Sequence, residues 1–437
     1  MKKIYYITAA FAFLSLTGCG DGIDLPDINV ETDLNKIPLP DNETNLIQVP
    51  LKPETEPMDH RGFHTEEDFE RIRTHLEVEP WKTGYGLLVA SNFSQKTAGT
   101  SPTKYIVRGD TQIIDGEEHR SNYEKAFRAT ATVYQQALRW RIEGDDAYAE
   151  KAVENINAWV KECIGIVGGS NQSLAAGLYG YQFAIAGELL RDFKGWKAED
   201  FRAFQDWMIK VFNSQNDDFL NRFHGANPLH YWANWCLCNI ASKMAIGIVT
   251  DQRKIYNEGI CHLQEGVTNG RFRRAIYHDY APEHNFAQWQ ESGRDQGHTL
   301  MCVGLMGMIC QLAWSQGDDF FAYDSNLFLR ACEYAACCYY TDESVPYTTY
   351  IWQKQSPWGY PIPEVQSVLG GGKGLKRAVW ALPYYHYKIE KEVTEDLLKY
   401  TKTATDFVGN EGGGGYYEAN SGGFDVLGFG TLMFARE

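Results

Sequence analysis

The sequence predicts an all-α protein built from stacked helical hairpins. The 437-residue chain contains 44% hydrophobic and 22% charged residues, a balance typical of a folded globular protein. From residue 65 onward apolar side chains recur with the helical period, and long apolar helices end in short polar turns. Three such turns lie at Gly144–Asp146, Thr250–Asp251 and Gly317–Asp319, each followed by an aromatic-bearing helix. Such hairpins bury a continuous core only by packing on their neighbours, which predicts an open solenoid or a closed α/α toroid.

The first residues have the pattern of a secretion signal. Two lysines precede the apolar residues 4–16, a stretch too short to span a membrane as a mature helix. The stretch runs into Leu-Thr-Gly-Cys, ending at Cys19, which resembles the bacterial lipoprotein signal. Residues 1–18 are therefore predicted to be a signal peptide and Cys19 a lipidated residue; a plain signal peptide cut nearby is the alternative. Lipid would be the only membrane attachment, on the periplasmic or the cell-surface side of the bacterial outer membrane.

The remaining chain divides into a tether and a body. Residues 19–58 are rich in Asp, Glu, Pro and Asn and keep no sustained period, which predicts a flexible acidic tether. Residues 59–437 are predicted to form the helical body, whose first helix Thr65 caps. Further helices are predicted at about 123–143, 147–159, 173–191, 197–213, 231–249, 252–265, 294–316 and 325–340.

The amino-acid composition changes after residue 341, where glycine, proline and aromatic residues become frequent. Residues 345–377 are predicted to form a lid-like segment. Residues 411–434 alternate glycine with aromatic and aliphatic residues, which predicts short strands or an irregular cap. Both segments are expected to decorate the helical body.

Charge and cysteine usage exclude several classes of function. The net charge of −16 argues against a nucleic-acid partner, which needs a basic face. Ten cysteines less Cys19 leaves an odd number, mostly in apolar helical stretches, which predicts buried free thiols rather than a disulfide framework. Cys236 and Cys238 lack the spacing of a zinc site, so no metal and no other cofactor is expected. The aromatic content of 14% suits a protein that stacks on sugar rings.

The most informative motif is the run Glu-Ser-Gly-Arg-Asp-Gln-Gly-His at residues 291–298. Arg294 and His298 lie four residues apart and would share one face of a helix, which Glu291 joins if the helix begins early enough. This pattern predicts a helix that projects its polar start into a cavity. A buried network in which Glu291 and Asp295 neutralise Arg294 is the alternative.

A second cluster opens another long helix at residues 224–235. It combines His230 and Asn234 with the aromatic residues Tyr231 and Trp235, and an amide such as that of Asn234 can hold a carboxylate without adding charge. A capping and stacking cluster without a ligand is the alternative.

Three loops supply weaker candidates. They are a pair of amides before an apolar helix, a tyrosine beside a histidine, and a basic aromatic segment at 351–377 that could close over an acidic sugar polymer. Helix capping, packing and a solvated loop are the respective alternatives. The candidate side chains are Asn171, Gln172, Tyr280, Lys354, Trp358 and Arg377.

Together these stretches resemble the alginate lyase superfamily of polysaccharide lyases. The similar residues are 62–66, 230–256, 291–298, 313–318 and 383–387, with the run at 291–298 the most specific. The resemblance implies an α/α toroid that binds a uronate polymer, of alginate or glucuronan type, in its cleft. It also implies cleavage by β-elimination, in which the C5 proton is removed and a 4,5-unsaturated product forms.

The resemblance also suggests which residues act on the carboxylate. Arg294 matches the family's arginine, and Asn234 followed by Trp235 resembles the Asn-Trp pair of one branch. Met301 stands where the family's tyrosine is expected. Asn234 and Arg294 are therefore expected to hold the substrate carboxylate, because donors there stabilise an enolate-like transition state.

The two proton transfers have several candidates. His298 and His230 are the candidate bases, and Tyr280 or Tyr231 could be the acid. The side chains expected to contact the polymer are Asn171, Gln172, Tyr231, Trp235, Glu291, Gln296, Trp358, Lys354 and Arg377. Two other functions stay open: a glycoside hydrolase on a similar toroid, which needs two carboxylates flanking the bond, and a non-catalytic glycan-binding lipoprotein.

Overall fold

Long helices make up most of the computed structural model, which describes residues 48–60, 63–418 and 420–437. The predicted signal peptide, Cys19 and most of the predicted tether lie outside the described residues. In chain order the helices are α1 (Glu66–His75), α2 (Trp81–Ala90), α3 (Glu124–Glu143), α4 (Asp146–Glu162), α5 (Asn171–Leu189), α6 (Ala198–Trp207), α7 (Ser214–Arg222), α8 (Ala233–Val249), α9 (Arg253–Glu265), α10 (Phe272–Ala275), α11 (Gln296–Ser315), α12 (Tyr323–Tyr340), α13 (Ala381–Tyr385), α14 (Lys399–Val408) and α15 (Gly430–Phe434).

Local capping sets the ends of these helices. Thr65 begins α1 with a capping box, in which its hydroxyl accepts from the Asp68 N–H at 3.2 Å and Asp68 accepts from the Thr65 N–H at 2.9 Å. Gly144 ends α3 in the left-handed conformation, at φ 71°. Asp145 then caps α4 by accepting from the Ala147 N–H at 3.1 Å. The predicted polar turn between these two helices is confirmed.

The helices close into an α/α toroid rather than an open solenoid. The series α3, α5, α8, α11 and α12 packs each helix on the next, while α4 and α9 pack outside α3 and α8. The circuit returns through α13, whose Leu382 lies beside Gly307 of α11, and then through α15 and α1 to α3. Glycines permit the closest approach in this ring: a Cβ at Gly177 of α5 would overlap Cys238 of α8.

The helix α11 is a core helix of this ring. By length and composition it could cross a membrane, but 83% of its most apolar window is buried within the protein. Its polar first turn carries His298, whereas nearly all of the residues from Thr299 onward are buried. Burial of the apolar part therefore fixes where the polar start of the helix lies.

Within the described residues, the strands form four two-stranded sheets. β1 (Tyr105–Val107) pairs in parallel with β4 (Gly165–Val167), and the antiparallel pairs are β2 (Gln112–Ile114) with β3 (Glu117–His119), β5 (Ile276–Asp279) with β6 (Ala287–Trp289), and β7 (Tyr350–Gln355) with β8 (Pro361–Gln366). The β7–β8 hairpin lies within the predicted lid-like segment, residues 345–377. The described residues of 411–434 are mostly irregular, with a bridge between Gly413 and Gly428, and they end in α15.

The described end of the predicted tether lies against the helical body. Val49 exchanges two hydrogen bonds with the Gln264 side chain, at 2.6 and 3.0 Å. The Arg253 guanidinium donates to the carbonyls of Glu56 and Pro57, at 3.2 and 2.6 Å, and Met58 is buried. The body therefore includes residues from Val49 onward, ahead of the predicted boundary at residue 58.

Of the nine cysteines in the described residues, eight are free thiols, as predicted, whereas Cys261 is disulfide-bonded, contrary to the prediction. Seven of them are buried and the eighth is half-buried; the eight are Cys163, Cys236, Cys238, Cys302, Cys310, Cys332, Cys337 and Cys338. Burial raises the pKa of the Cys236 thiol to about 12, which keeps it protonated and unreactive at neutral pH.

Candidate active site

A cavity of about 470 Å³ lies where three helices of the ring begin. Asn171 is the first residue of α5, Asn234 lies in the first turn of α8, and His298 lies in the first turn of α11. The positive ends of three helix dipoles therefore point toward one cavity. The polar side chains of its lining are Arg108, Asn171, Asn234, Arg294, Asp295, His298, Lys376, Arg377, Tyr417, Glu418, Asn420, Ser421 and Asp425. Four of these side chains are cationic and three are carboxylates, so the lining carries a small excess of positive charge in a chain whose net charge is −16.

A buried carboxylate orients the amide and the guanidinium at one wall. Glu291 is fully buried, and its Oε1 accepts from the Asn234 backbone N–H at 3.1 Å and from the Asn234 side-chain amide. Its Oε2 lies 3.3 Å from Arg294, whose guanidinium also lies 5.2 Å from the centre of the Trp232 ring. Burial raises the pKa of Glu291, and the Arg294 charge opposes that rise. Glu291 therefore holds Asn234 and Arg294 from behind and does not line the cavity itself.

The neighbouring residues form an aspartate–histidine pair. Asp295 Oδ1 accepts from the His298 backbone N–H at 2.8 Å, which caps α11, and Oδ2 lies 2.6 Å from His298 Nδ1. Burial raises the pKa of Asp295, but the hydrogen bonds from His298 outweigh it and lower the pKa to about 2. The ionised Asp295 can only accept, so in the neutral imidazole Nδ1 carries the proton and Nε2 has the lone pair. The His298 side chain is 38% exposed at the cavity wall.

The opposite wall comes from the segment that follows α14. Arg377 pairs with the buried Asp425 at 2.8 Å and also donates to the Gly297 carbonyl. Burial raises the pKa of Asp425, and the Arg377 charge opposes that rise. The Tyr417 hydroxyl oxygen accepts from the Gly412 N–H at 3.1 Å, which leaves its own proton free to be donated. Burial raises the pKa of Tyr417, so the phenol is neutral at physiological pH.

A buried glutamate fastens this C-terminal segment to the ring. Glu411 accepts from the N–H groups of Trp380 and Ala381, at 2.8 and 3.0 Å, where α13 begins. Burial raises the pKa of Glu411 from its usual value of 4.5 to about 7. At a pH between these two pKa values, Glu411 therefore takes up a proton when the protein folds.

We expect the free energy of unfolding to fall as the pH rises from about 5 to about 8. The folded state binds the Glu411 proton more tightly than the unfolded state does, so this stabilisation is complete below the unfolded pKa and is lost as the pH rises through the folded pKa. The loss is roughly 2–3 kcal/mol at most. Urea unfolding across this range measures it, and Glu411→Gln, which keeps an accepting oxygen, should flatten the dependence. Equal pH dependence in both proteins would contradict the assignment.

The structure brings six of the sequence-predicted residues to the cavity. They are Asn171, Asn234, Trp235, Arg294, His298 and Arg377. The predicted contact residues Gln172, Tyr231, Glu291, Gln296, Lys354 and Trp358, and the predicted catalytic residues His230 and Tyr280, do not line it. Met301, at the position of the family's tyrosine, lies in the apolar part of the lining.

His230 holds the hairpin β7–β8 instead of facing the cavity. Its Nδ1 accepts from the Gln355 N–H at 2.8 Å, and its ring stacks on Trp352 at 5.7 Å between centroids. Burial, followed by the Lys354 charge, lowers the pKa of His230. In the neutral ring that accepts at Nδ1, the proton sits on Nε2, so no lone pair is left for a substrate proton. The expectation that His230 is a candidate base is not supported by this position.

The two tyrosines expected to be the acid are engaged elsewhere. The Tyr280 hydroxyl bonds to Gln288 Oε1 at 2.7 Å and to Thr348 Oγ1 at 3.0 Å. Tyr231 is 8% exposed and packs edge-on against Phe219. The tyrosine at the cavity is Tyr417, which was not predicted from the sequence because it lies more than 100 residues beyond the motif at 291–298. The sequence feature that could have indicated Tyr417 is the glycine run that precedes it, because glycines let the backbone approach a site closely.

The predicted lid-like segment supports the cavity wall. The Gly370 N–H donates to the Ser292 carbonyl at 2.7 Å, and a Cβ at Gly370 would overlap the Arg294 backbone. The Gln296 side chain is buried and accepts from the Leu375 N–H at 3.3 Å, so it holds this loop and does not reach the cavity.

The hairpin of this segment reaches the site through stacked rings. Trp352 stacks on Trp232 at 4.9 Å between centroids, and Trp232 in turn lies against the Arg294 guanidinium. Lys354 pairs with Glu364 on the neighbouring strand, and Trp358 at the hairpin turn is 73% exposed. Both lie on the hairpin, away from the lining of the cavity.

Comparison with known proteins agrees with the fold. The model of the family described as alginate lyase matches residues 90–344, more than half of the chain. A tetrasaccharide-bound histidine-to-alanine variant of alginate lyase A1-III, an enzyme of Sphingomonas species A1, superposes with a TM-score of 0.55 at 14% identity, covering 87% of this chain and 96% of its own. An alginate lyase from Bacteroides ovatus superposes with a TM-score of 0.55 at 13% identity, covering 86% and 99%. No curated protein sequence matches the chain.

Proposed function

The chain belongs to the alginate lyase family and is a polysaccharide lyase, and we propose that it cleaves a uronate polymer of alginate or glucuronan type by β-elimination. One observation carries this proposal: Asn234, Arg294 and His298 line a single cavity at the positive ends of three helices. An amide, a guanidinium and an imidazole around one cavity are the groups that removal of a proton beside a carboxylate needs.

Asn234 and Arg294 neutralise the carboxylate of the sugar whose C5 proton is removed. That proton is weakly acidic, because its removal places negative charge beside a group that is already ionised. Donors on the carboxylate oxygens spread this charge, and each such donor contributes about 10²–10³ in rate. Glu291 keeps both donors in place before the substrate arrives, so little reorganisation is needed when the charge develops.

His298 is the base that takes the C5 proton. Its Nδ1–H is held by Asp295, so the lone pair of Nε2 is the acceptor. Asp295 also stabilises the imidazolium that forms, because its carboxylate is ionised at every pH of interest. A positioned base contributes about 10²–10⁴ in rate.

Tyr417 is the acid that protonates the departing O4 oxygen. Its hydroxyl is neutral, its oxygen accepts from the Gly412 N–H, and its side chain lines the cavity, which supports this role. Electrons move from the C5–H bond to form the C4–C5 double bond, and the C4–O4 bond breaks as O4 takes the phenolic proton. Protons and electrons balance without a cofactor.

A glycoside hydrolase is the less supported alternative. Hydrolysis needs two carboxyl groups about 5–9.5 Å apart on either side of the bond. Glu291 is fully buried behind the wall, and Asp295 is bound to His298. Both carboxylates therefore orient neighbouring side chains and do not flank a bond of the substrate. A purely glycan-binding protein would have no need for the Asp295–His298 pair.

Absorbance in the ultraviolet distinguishes these functions. We expect the protein, incubated with alginate and with glucuronan, to produce an absorbing product with at least one of them, because elimination conjugates a new double bond with the carboxylate. Hydrolysis would give reducing ends without that absorbance, and a binding protein would give neither. Reducing ends without absorbance on any uronate polymer would overturn the proposed reaction.

A further inference from the structure

We infer that Arg108 and Asn171 form a second carboxylate-binding site in the same cavity, so that the enzyme holds two consecutive uronates. This inference rests on the proposed function and adds to it the arrangement of acidic sugars along the chain that is recognised. Asn234 and Arg294 take the carboxylate of the reacting sugar. Arg108 and Asn171 take that of its neighbour.

Arg108 is held rigidly by neutral groups. It follows β1, and its backbone N–H donates to the Val167 carbonyl at 3.0 Å. Its guanidinium donates to the Tyr179 hydroxyl and to Ser421 Oγ, both at 3.1 Å. The Tyr123 ring lies beneath it, 4.8 Å from the guanidinium carbon to the ring centre. These contacts fix the direction of the guanidinium, and none of them comes from a carboxylate. The nearby Asp425, which Ser421 links to Arg108, is already paired with Arg377.

Arg108 differs from Arg294 and Arg377, the other two arginines of the lining, in its ion pairing. Arg294 pairs with Glu291 at 3.3 Å, and Arg377 pairs with Asp425 at 2.8 Å. Within residues 48–60, 63–418 and 420–437, Arg108 forms no ion pair. It is half-buried at the cavity, where an anion would be only partly screened by water. An acidic ligand is the partner that this guanidinium lacks.

Asn171 supplies the neutral donor beside it. The side chain of Asn171 lies against Gly109, the residue after Arg108, where a Cβ would stand 3.2 Å from Asn171 Nδ2. In the part of the chain that the structure describes, this amide has no hydrogen-bond partner. Asn171 also begins α5, which carries Tyr179 two turns later, so one helix positions both members of the pair. The amide and guanidinium repeat the chemistry of Asn234 and Arg294.

Two such pairs in one cavity match a polymer with a carboxylate on every sugar. A polymer in which uronates alternate with neutral sugars offers a carboxylate to only one pair at a time. The predicted consequence is a preference for blocks of consecutive uronates. The second pair should act mainly on affinity, because it contacts a sugar whose bonds do not change.

Asn171→Asp tests this site without weakening the fold. Asp has nearly the shape of Asn and is favourable at the first position of a helix, so the thermal midpoint should stay the same or rise. Its carboxylate would repel the substrate and neutralise Arg108. In the His298→Ala background, in which cleavage is expected to be slow, we expect Asn171→Asp to raise the Kd of a tetrasaccharide of consecutive mannuronates about 10- to 100-fold. The Kd of a tetrasaccharide of alternating glucuronate and N-acetylglucosamine should change less than about 3-fold.

Arg108→Gln in the same background should give the same selective loss, and Arg120→Gln is its matched control. Arg120 is an exposed arginine of the same region that does not line the cavity, so its removal should leave both Kd values unchanged. An unchanged Kd in Asn171→Asp and Arg108→Gln, or an equal loss for both tetrasaccharides, would overturn the second site. Since binding is measured, the selective loss would uphold the site even if the active protein gave no unsaturated product, which would contradict only the proposed reaction.

Discussion

Arg294→Ala is expected to lower kcat/KM on a uronate polymer by about 10²- to 10³-fold while the protein remains folded. The guanidinium is the cation that Glu291 and Trp232 aim at the cavity, and its charge matters most when C5 loses its proton. Without Arg294, Glu291 still accepts from the backbone N–H and the side-chain amide of Asn234, so the fold should survive the change. Initial rates of ultraviolet absorbance measure the effect.

Two further variants make this test of Arg294 specific. Arg294→Lys keeps a charge but loses the planar fork that reaches Glu291 and a carboxylate together, so its activity should be intermediate. Arg222→Ala removes an exposed arginine at the end of α7 and should leave the rate unchanged. Full activity in Arg294→Ala would show that the carboxylate is held by other groups.

His298→Ala is expected to lower kcat by about 10²- to 10⁴-fold with a smaller change in KM. The imidazole is assigned the proton transfer, which contributes to the transition state more than to substrate binding. Single-turnover production of the unsaturated product measures this step directly. His284→Ala, which removes an exposed histidine outside the cavity lining, is the matched control.

Asp295→Asn separates orientation of His298 from folding. Asn is as good a helix cap as Asp, so α11 should keep its start, but the amide no longer fixes the proton on Nδ1 or stabilises an imidazolium. We expect a loss in kcat smaller than that of His298→Ala. A loss in His298→Ala that appears only in KM would exclude His298 as the base and leave it as a binding residue.

The helices could be predicted closely from the sequence because their signals are local. The predicted helix at 123–143 is α3 (Glu124–Glu143), and the predicted helix at 252–265 is α9 (Arg253–Glu265). The two hypotheses for the run at 291–298, a polar helix start in a cavity and a buried ionic network, are compatible. Glu291 neutralises Arg294 while Arg294 lines the cavity. Helical spacing carries that information, because residues four apart share a face wherever the helix lies.

Residues from loops were predicted less well. Arg108 and Tyr417 reach the cavity from opposite ends of the chain, and neither belongs to a motif with helical spacing. His230 and Tyr280 have suitable chemistry but are bound by groups at or near the β7–β8 hairpin, namely the Gln355 N–H and Thr348. Whether a titratable side chain is free depends on partners that are distant in sequence.

By itself the sequence determined the helical hairpins and the residues that begin α8 and α11, because apolar periodicity and capping act over a few residues. Only the tertiary structure decided which loops complete the cavity. Closure of the ring brings the C-terminal segment, with Tyr417, against helices formed more than 100 residues earlier. Such contacts depend on how the whole core packs, and no short stretch of sequence encodes them.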